Sequence, residues 1–360
     1  MSTNSFEYPV LHRYFVSSNG ERGFHGYFEK VFSPDRFSHI YIIQGGPGTG
    51  KSSMMRLIAQ KATAEGAVCE EILCSSDADS LDGIILEKNG KRIGVLDGTA
   101  PHIRIATLPG CRETILHFGA FWQDEMLRRE EERILWLNES KKESFSRAYS
   151  LLAAAGAVHR AARRALSPYF LTEKARKDAL SKLRGRIEHG AVRCRYLRTY
   201  SMQGERRMPE TFSGQTVYAI SGNSASAEQY LTILMELLEE RGISHTVYLS
   251  PLSPEHADGV AINGSSILLY KAELLSDSVP VAHTIRTVRF LSDGYRRDAK
   301  RRTRLLQRNE DALISEALAA LHEASISHFA LERIYGAAMD FAALKADILA
   351  RIPEMLAHLA

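Results

Sequence analysis

The chain has 360 residues, of which 44% are hydrophobic and 25% are charged, and its formal net charge is +3. This length allows two domains with separate cores, and the composition is that of an ordinary globular protein. The near-neutral charge gives no whole-chain argument for nucleic acid, and no run of about 18 uncharged apolar residues predicts a membrane span.

The N-terminal segment and the cysteines predict a cellular location. Residues 1–15 read MSTNSFEYPVLHRYF, with no basic start followed by an apolar stretch, so we expect no signal peptide. The four cysteines form no CxxC pair, and no histidine cluster lies at zinc-ligand spacing. A reducing, cytoplasmic environment is therefore expected.

The first half of the chain alternates predicted strands and helices. The apolar run HIYII (39–43) before a glycine-rich turn is typical of a buried parallel strand, and residues 52–66 have helical periodicity that ends at Gly66. AVCEEILC (67–74) and KRIGVLD (91–97) are further predicted strands, and from Phe121 to about Ile187 the pattern is helical and highly charged. Alternating strands and helices predict an α/β fold with a doubly wound parallel sheet.

The turn between the first strand and helix matches G-x-x-x-x-G-K-[ST], the phosphate-binding loop (P-loop) pattern. Its residues are Gly45, Gly46, Pro47, Gly48, Thr49, Gly50, Lys51 and Ser52. Glycines let the backbone curl so that N–H groups face phosphate oxygens, and the helix N-terminus adds its dipole. Lys51 is predicted to bridge the β- and γ-phosphates, Ser52 to ligate Mg²⁺, and Ser53 to lie near the α-phosphate.

Acidic residues that follow the later strands are candidates for Mg²⁺ binding or catalysis. Asp97 ends an apolar strand, the position expected of a second Mg²⁺ ligand or of a group that positions water. The alternative is that Asp97 caps the following turn. Asp77, Asp79 and Asp82 follow the strand ending near Cys74 and could position water or substrate, but N-cap or turn roles are equally compatible. His102 could face the same sheet edge or lie in a solvated loop.

The chain contains a tandem repeat whose two copies differ at the chemically important positions. Three segments of the first half recur in the same order in the second half. HRYFVSSNGERGF from His12 recurs from Cys194, the strand–turn–helix frame from Tyr41 recurs from Tyr218, and the Asn89-Gly90 segment recurs from Asn263. We therefore predict two P-loop-type domains over residues 1–190 and 191–360, each ending in a helical segment.

The second copy lacks the groups that handle phosphate. Aligned by the shared frame, Lys51 becomes Glu228, Ser52 becomes Gln229 and Asp97 becomes Lys271. A carboxylate at the lysine position would repel a triphosphate, so the second half is predicted to retain the fold and to have lost nucleotide chemistry.

The combination of RYF…GERGF, GGPGTGKSS, CSSDADSLDG and VLDGTAPH, repeated in tandem, resembles a family of bacterial tandem P-loop ATPase-like proteins. The resemblance is strong over residues 12 to about 125 and weaker in the second half, where the loop is not intact. It implies a P-loop NTPase fold in each half and ATP binding. The matching positions are residues 45–53 and, more loosely, Asp77, Asp82, Asp97 and His102.

Three functions are compatible with these motifs. The leading prediction is a Mg²⁺-dependent ATPase whose helices signal nucleotide state to an unidentified protein partner. The alternative is a small-molecule kinase, in which Asp77 or Asp79 would act as base towards an acceptor and Arg128 and Arg129 would belong to a lid. The third is an assembly protein that ATP locks without turnover. No Asn-Lys-x-Asp segment indicates a GTPase.

The segment from residue 286 to 308 contains nine basic and two acidic residues. A solvated helix face is the ordinary interpretation, and a surface for RNA or DNA phosphates is the alternative. Arg297 or Arg301 could also reach the P-loop as an arginine finger.

Overall fold

The computed structural model describes residues 8–183, 188–208, 212 and 214–360 and has two similar α/β halves. The strands of the first half are β1 (His12–Phe15), β2 (Ser17–Gly20), β3 (Gly23–Gly26), β4 (His39–Gln44), β5 (Val68–Leu73), β6 (Leu81–Lys88), β7 (Lys91–Asp97) and β8 (Glu113–His117). Its helices are α1 (Phe28–Val31), α2 (Lys51–Ala64), α3 (Asp124–Arg129), α4 (Glu131–Leu166) and α5 (Thr172–Lys182).

Among the described residues, the second half repeats this element order except for the short helix α1. Its strands are β9 (Val192–Arg195), β10 (Arg198–Ser201), β11 (Gly204–Arg207), β12 (Thr216–Ser221), β13 (His245–Leu249), β14 (Ala257–Ile262), β15 (Ile267–Lys271) and β16 (Val281–Arg286). Its helices are α6 (Ser224–Glu240), α7 (Asp293–Asp298), α8 (Lys300–Ala337) and α9 (Phe341–Ala357).

Each half contains a six-stranded sheet, and the two sheets have the same strand order and strand directions. The orders are β1-β5-β6-β7-β4-β8 and β9-β13-β14-β15-β12-β16. In each sheet only the third strand runs antiparallel to both of its neighbours, and the remaining pairs are parallel. The prediction of an α/β protein made of two similar tandem halves is confirmed. The prediction of a parallel sheet holds for every strand pair except those of β6 and β14, two strands that were not predicted.

A tight hairpin explains the reversed strand in the first half. Asn89 and Gly90 connect β6 to β7 and have φ values of 52° and 77°. Positive φ at both central residues is the geometry of two-residue hairpin turns, for which Asn-Gly is the preferred sequence. The apolar side chains of Ile84, Ile85 and Leu86 are buried, as expected for a strand in the centre of a sheet.

The two halves meet at their edge strands and at two small hairpins, β2–β3 and β10–β11. Phe15 and Tyr196 exchange backbone hydrogen bonds of 2.9 Å in each direction. Next to this bridge, the buried side-chain amide of Asn19 donates to the carbonyl of Tyr200 at 2.8 Å. These hydrogen bonds connect the two halves at the points where their repeats begin.

The helices that follow each sheet pack against the other half. The long helices α4 and α8 lie side by side, and the interface contains Leu152, Ala155, Ala317 and Leu321. The last helix of the chain, α9, packs on α2 of the first half, while α5 packs on α6 of the second half. The C-terminal helices therefore complete the first-half core, although the sequence placed them in the second domain.

Among the residues that the structure describes, none of the helices combines the length and the apolarity that crossing a lipid bilayer requires.

Candidate functional site

The predicted P-loop forms a tight curl between β4 and the start of α2. Gly48 and Gly50 have φ values of 69° and 80°, in the left-handed region that residues with a Cβ rarely adopt. Gly50 is also the N-cap of α2 and has no side chain to satisfy the N–H groups of the first helical turn. These free N–H groups and the positive end of the helix dipole make an anion-binding position.

The Lys51 ammonium lies inside the curl and beside a buried carboxylate. It donates to the carbonyl oxygens of Gly45 (2.9 Å) and Gly46 (2.7 Å), and it lies 3.4 Å from Asp97 Oδ2. Asp97 ends β7, which pairs in parallel with β4, so both groups emerge at the same sheet edge. The N–H of Thr99 donates to Asp97 Oδ1 at 2.8 Å. Burial raises the pKa of Asp97, and the Lys51 ammonium only partly offsets this effect.

The predicted Mg²⁺ ligand Ser52 is engaged by protein groups. Its hydroxyl accepts hydrogen bonds from Arg56 Nη1 (2.6 Å) and from the N–H of Leu81 (3.0 Å). Arg56 also donates to the carbonyl of Asp79 at 2.6 Å. The buried carboxylate of Asp97 suits a Mg²⁺ ion, but Ser52 fits one only after Arg56 has moved away.

The other predicted carboxylates have different environments. Asp77 is buried at the turn, and its two oxygens accept hydrogen bonds from Ser80 (2.6 Å) and from the side-chain amide of Gln203 in the second half. The Asp79 side chain is 80% exposed. Asp82 and His102 instead lie beside Asp97, with one possible ligand atom from each of the three within 4.8 Å of the others. The structure therefore brings Asp82, Asp97 and His102 together and places Asp77 in a turn contact.

A cavity of about 840 Å³ opens over the P-loop, and one of its walls comes from the end of α8 and the start of α9. These residues are His328, Phe329, Glu332, Arg333, Gly336, Ala337 and Phe341. A Cβ on Gly48 would lie 2.3 Å from the carbonyl oxygen of Glu332, so α8 docks where only glycine fits. No local pattern in the sequence indicated this wall, because it is formed by segments about 280 residues from the loop.

The arginines predicted to assist the site do not line this cavity, whereas another arginine does. Arg128 and Arg129 are exposed on α3, and Arg297 and Arg301 are exposed at the other end of the helical pair. With a rise of 1.5 Å per residue, Arg301 lies about 48 Å along α8 from Arg333. Arg333 lines the cavity and has no ion-pair partner in the described part of the chain.

In the second half the equivalent ion pair is present with its charges reversed. Asp97 pairs in register with Ile43 of β4, and Lys271 pairs in register with the corresponding Ile220 of β12. Lys271 Nζ lies 3.3 Å from Glu228 Oε1, and the two side chains are only 2% and 0% exposed. The predicted Glu228 and Lys271 replacements are thus in contact and stabilise each other.

The turn before α6 packs closely against Thr287. A Cβ on Gly222 would lie 2.0 Å from the Thr287 hydroxyl. The Asn223 side chain caps α6 by accepting from the N–H of Ser226 at 2.8 Å. With its first turn capped and Glu228 at the lysine position, this helix N-terminus is a poor anion site.

The reversed pair belongs to a buried network that reaches both long helices. His159 of α4 contacts Glu228 through Nε2 at 3.0 Å and Glu310 of α8 through Nδ1 at 3.1 Å. Burial opposes the charge of His159, but the hydrogen bonds to these carboxylates outweigh it and raise its pKa to about 9. Burial also opposes the charge of Glu228, but Lys271 and His159 lower its pKa to about 2.

We expect this network to make stability depend on pH. Unfolded His159 has a pKa near 6.5, so its contribution is complete below that pH and is lost as pH rises through about 9. The Glu228 contribution is present above about 4.5 and is lost as pH falls towards 2. Relative to His159→Gln, the free energy of unfolding should fall by on the order of 3 kcal/mol between pH 6.5 and 9. Urea denaturation across this range measures the difference.

The matched control is His322→Gln, which replaces an exposed histidine on α8. It should leave the pH dependence of unfolding unchanged. If the free energy of unfolding varied with pH in the same way for the original chain and for His159→Gln, the assignment of a charged His159 would be contradicted.

Comparison with known proteins gave no match. No protein-family model matches the sequence, and neither a curated protein nor a solved structure does so.

Proposed function

We propose that the chain binds one ATP with Mg²⁺ at residues 45–53 and hydrolyses it slowly, and that the second half binds no nucleotide. The observation that carries this proposal is the position of the Lys51 ammonium, inside a glycine curl at a helix N-terminus and 3.4 Å from Asp97. Loop N–H groups and Lys51 would hold the phosphates and stabilise charge that develops on the γ-phosphoryl group.

In this proposal, nucleotide binding requires two side chains, Lys51 and Arg56, to exchange their hydrogen-bond partners. Lys51 would exchange the carbonyls of Gly45 and Gly46 for phosphate oxygens, and Arg56 would release Ser52. Asp97 and Ser52 would then hold Mg²⁺, which supplies charge neutralisation of the phosphates. Arg333, which lines the cavity from the second half, is the candidate for a further phosphate contact from the other half of the chain.

The cavity wall supports a signalling role for the helices. Because α8 contacts Gly48 at one end and its Glu310 contacts His159 of α4, which also contacts Glu228 in the second half, nucleotide in the first half would bias the position of a helix that reaches both halves. This movement would present a different surface to a protein partner.

The second candidate function is an ATP-locked assembly protein without turnover. It is favoured by the shared cavity, since ATP between the P-loop and α8 would hold the two halves together. ATP would then raise the melting temperature by mass action and would not be hydrolysed.

Calorimetric titration of the full-length protein with Mg²⁺ and a non-hydrolysable ATP analogue tests the proposal. We expect one analogue per chain, and release of phosphate from ATP in a parallel assay. Absence of binding, or two analogues per chain, would contradict the proposed single site. Binding without phosphate release would support the ATP-locked alternative.

A further inference from the structure

Three side chains beside the P-loop form an arrangement that nucleotide binding does not by itself require. Asp82 lies on β6 and Asp97 ends the antiparallel neighbour β7, and both carboxylates are buried. His102 lies in the loop after β7, and its Nε2 is 3.3 Å from Asp82 Oδ1. The Asp82–Asp97–His102 cluster thus comes from two paired strands and the loop that follows them.

Two buried atoms of the cluster have no hydrogen-bond partner among the residues that the structure describes. They are Asp82 Oδ2 and His102 Nδ1, and the side chains that carry them are only 4% and 5% exposed. Native proteins leave few buried polar atoms unpaired, and an ion is one of the explanations for those that remain. An ion bound by Asp82 and by His102 Nε2 would account for Asp82 Oδ2 but not for His102 Nδ1. Asp97 Oδ2 has the Lys51 ammonium 3.4 Å away.

The spacing is close to that of ligands around a single metal ion. Bonds of about 2.0–2.2 Å place neighbouring ligand atoms about 3.0–3.5 Å apart. The 3.3 Å between His102 Nε2 and Asp82 Oδ1 is within this range, and all three candidate ligand atoms lie within 4.8 Å of one another. A movement of about 1 Å would therefore complete the set.

We propose that Asp82, Asp97 and His102 bind one divalent first-row transition-metal ion, of the Mn²⁺ class, without nucleotide. One imidazole and two carboxylates suit such ions, whereas Mg²⁺ prefers oxygen ligands alone. The rings of Phe24 and Phe28 pack on His102 with centroid separations of 5.1 and 4.9 Å and restrain its position. Asp82 and Asp97 also line the P-loop cavity, so free coordination positions would be open to water or an anion.

The inference goes beyond the proposed ATP site, because it uses residues other than Ser52 and needs no nucleotide. The competing state is a protonated His102 paired with Asp82, with no metal. The two states differ in whether the protein removes Mn²⁺ from solution, so the test uses Mn²⁺ alone.

Metal-stripped full-length protein is titrated with MnCl₂ without nucleotide while the electron paramagnetic resonance signal of free Mn²⁺ is recorded. We expect one Mn²⁺ per chain, retained in the presence of equimolar Mg²⁺, and a ¹⁴N coupling from imidazole in the pulsed spectrum. Asp82→Asn and His102→Gln should each weaken binding at least ten-fold, and His102→Gln should also lose the ¹⁴N coupling.

Asp79→Asn is the matched control, because Asp79 is an exposed carboxylate in the same loop region, and it should leave Mn²⁺ binding unchanged. Absence of stoichiometric Mn²⁺ binding would overturn the proposal, as would unchanged affinity in Asp82→Asn and His102→Gln. Should either variant fail to fold, the ¹⁴N coupling in the unaltered protein decides, and its absence would also overturn the proposal.

Discussion

Replacing Lys51 with alanine should reduce Mg²⁺-dependent ATP turnover by about 10²–10³-fold, the loss typical of removing one preorganised group that stabilises transition-state charge. The reason is geometric, since Lys51 is the ammonium group inside the curl, and the loop N–H groups alone cannot supply its charge. Steady-state phosphate release at saturating ATP measures the effect.

Lys61→Ala provides the matched control for this result. Lys61 lies on the same helix, α2, but it is exposed and does not line the cavity. Its removal changes the net charge by the same amount and should leave turnover intact. Equal turnover in Lys51→Ala and the original chain would rule out catalysis at this loop and would assign any ATPase activity elsewhere.

Replacing Lys271 with methionine should lower the free energy of unfolding by about 3–5 kcal/mol, as when one partner of a buried ion pair is removed. Lys271 Nζ lies 2.9 Å from Asp258 and 3.3 Å from Glu228, and all three side chains are at most 2% exposed. Methionine fills a similar volume but leaves two buried carboxylates short of one positive charge. Urea denaturation at pH 7 measures the loss.

Two further variants separate this charge effect from a general effect of the substitution. Lys345→Met changes an exposed lysine on α9 and should alter the free energy of unfolding by no more than about 0.5 kcal/mol. Adding Glu228→Gln to Lys271→Met should recover part of the stability, because one uncompensated carboxylate is removed. A Lys271→Met protein as stable as the original would mean that the network contributes nothing.

The reversed pair explains why the strand–turn–helix frame occurs twice with only one complete set of phosphate-binding groups. In the first half a lysine on the helix faces a carboxylate on the strand, whereas in the second half Glu228 is on the helix and Lys271 on the strand. Either order gives a compensated buried pair, so the fold tolerates the exchange. Only the arrangement with the lysine on the helix presents a cation to the phosphates of a nucleotide.

Parts of the fold that depend on local pattern could be predicted, and one that was missed had a local signal. Helix α2 ends at Ala64, and Gly66 follows with a φ of 89°, in agreement with the predicted helix end at Gly66. The predicted parallel sheet is confirmed for most strand pairs, but the antiparallel strand β6 before Asn89-Gly90 was not predicted. The same dipeptide between apolar runs is a strong hairpin signal and would have indicated β6.

The cavity wall had no such signal. Phe329 and Arg333 lie on α8, and an apolar stripe on a helix predicts that one face is buried but not the surface that buries it. The exchange of helices between the halves depends on which pairing buries more apolar surface. That comparison involves the whole chain, so no window of sequence contains it.

By itself, the sequence determined that the chain is duplicated, that its halves are α/β, and that one copy has a glycine loop with lysine while the other has glutamate. These features follow from local periodicity, turn chemistry and residue identity, which are properties of short segments. Three contacts are apparent only in the folded chain: Asp82, Asp97 and His102 meet, Glu228 and Lys271 form a reversed pair, and α8 covers the P-loop. Such contacts join segments that are distant in the chain, and they form because strand pairing and helix packing bury apolar surface on several elements at once.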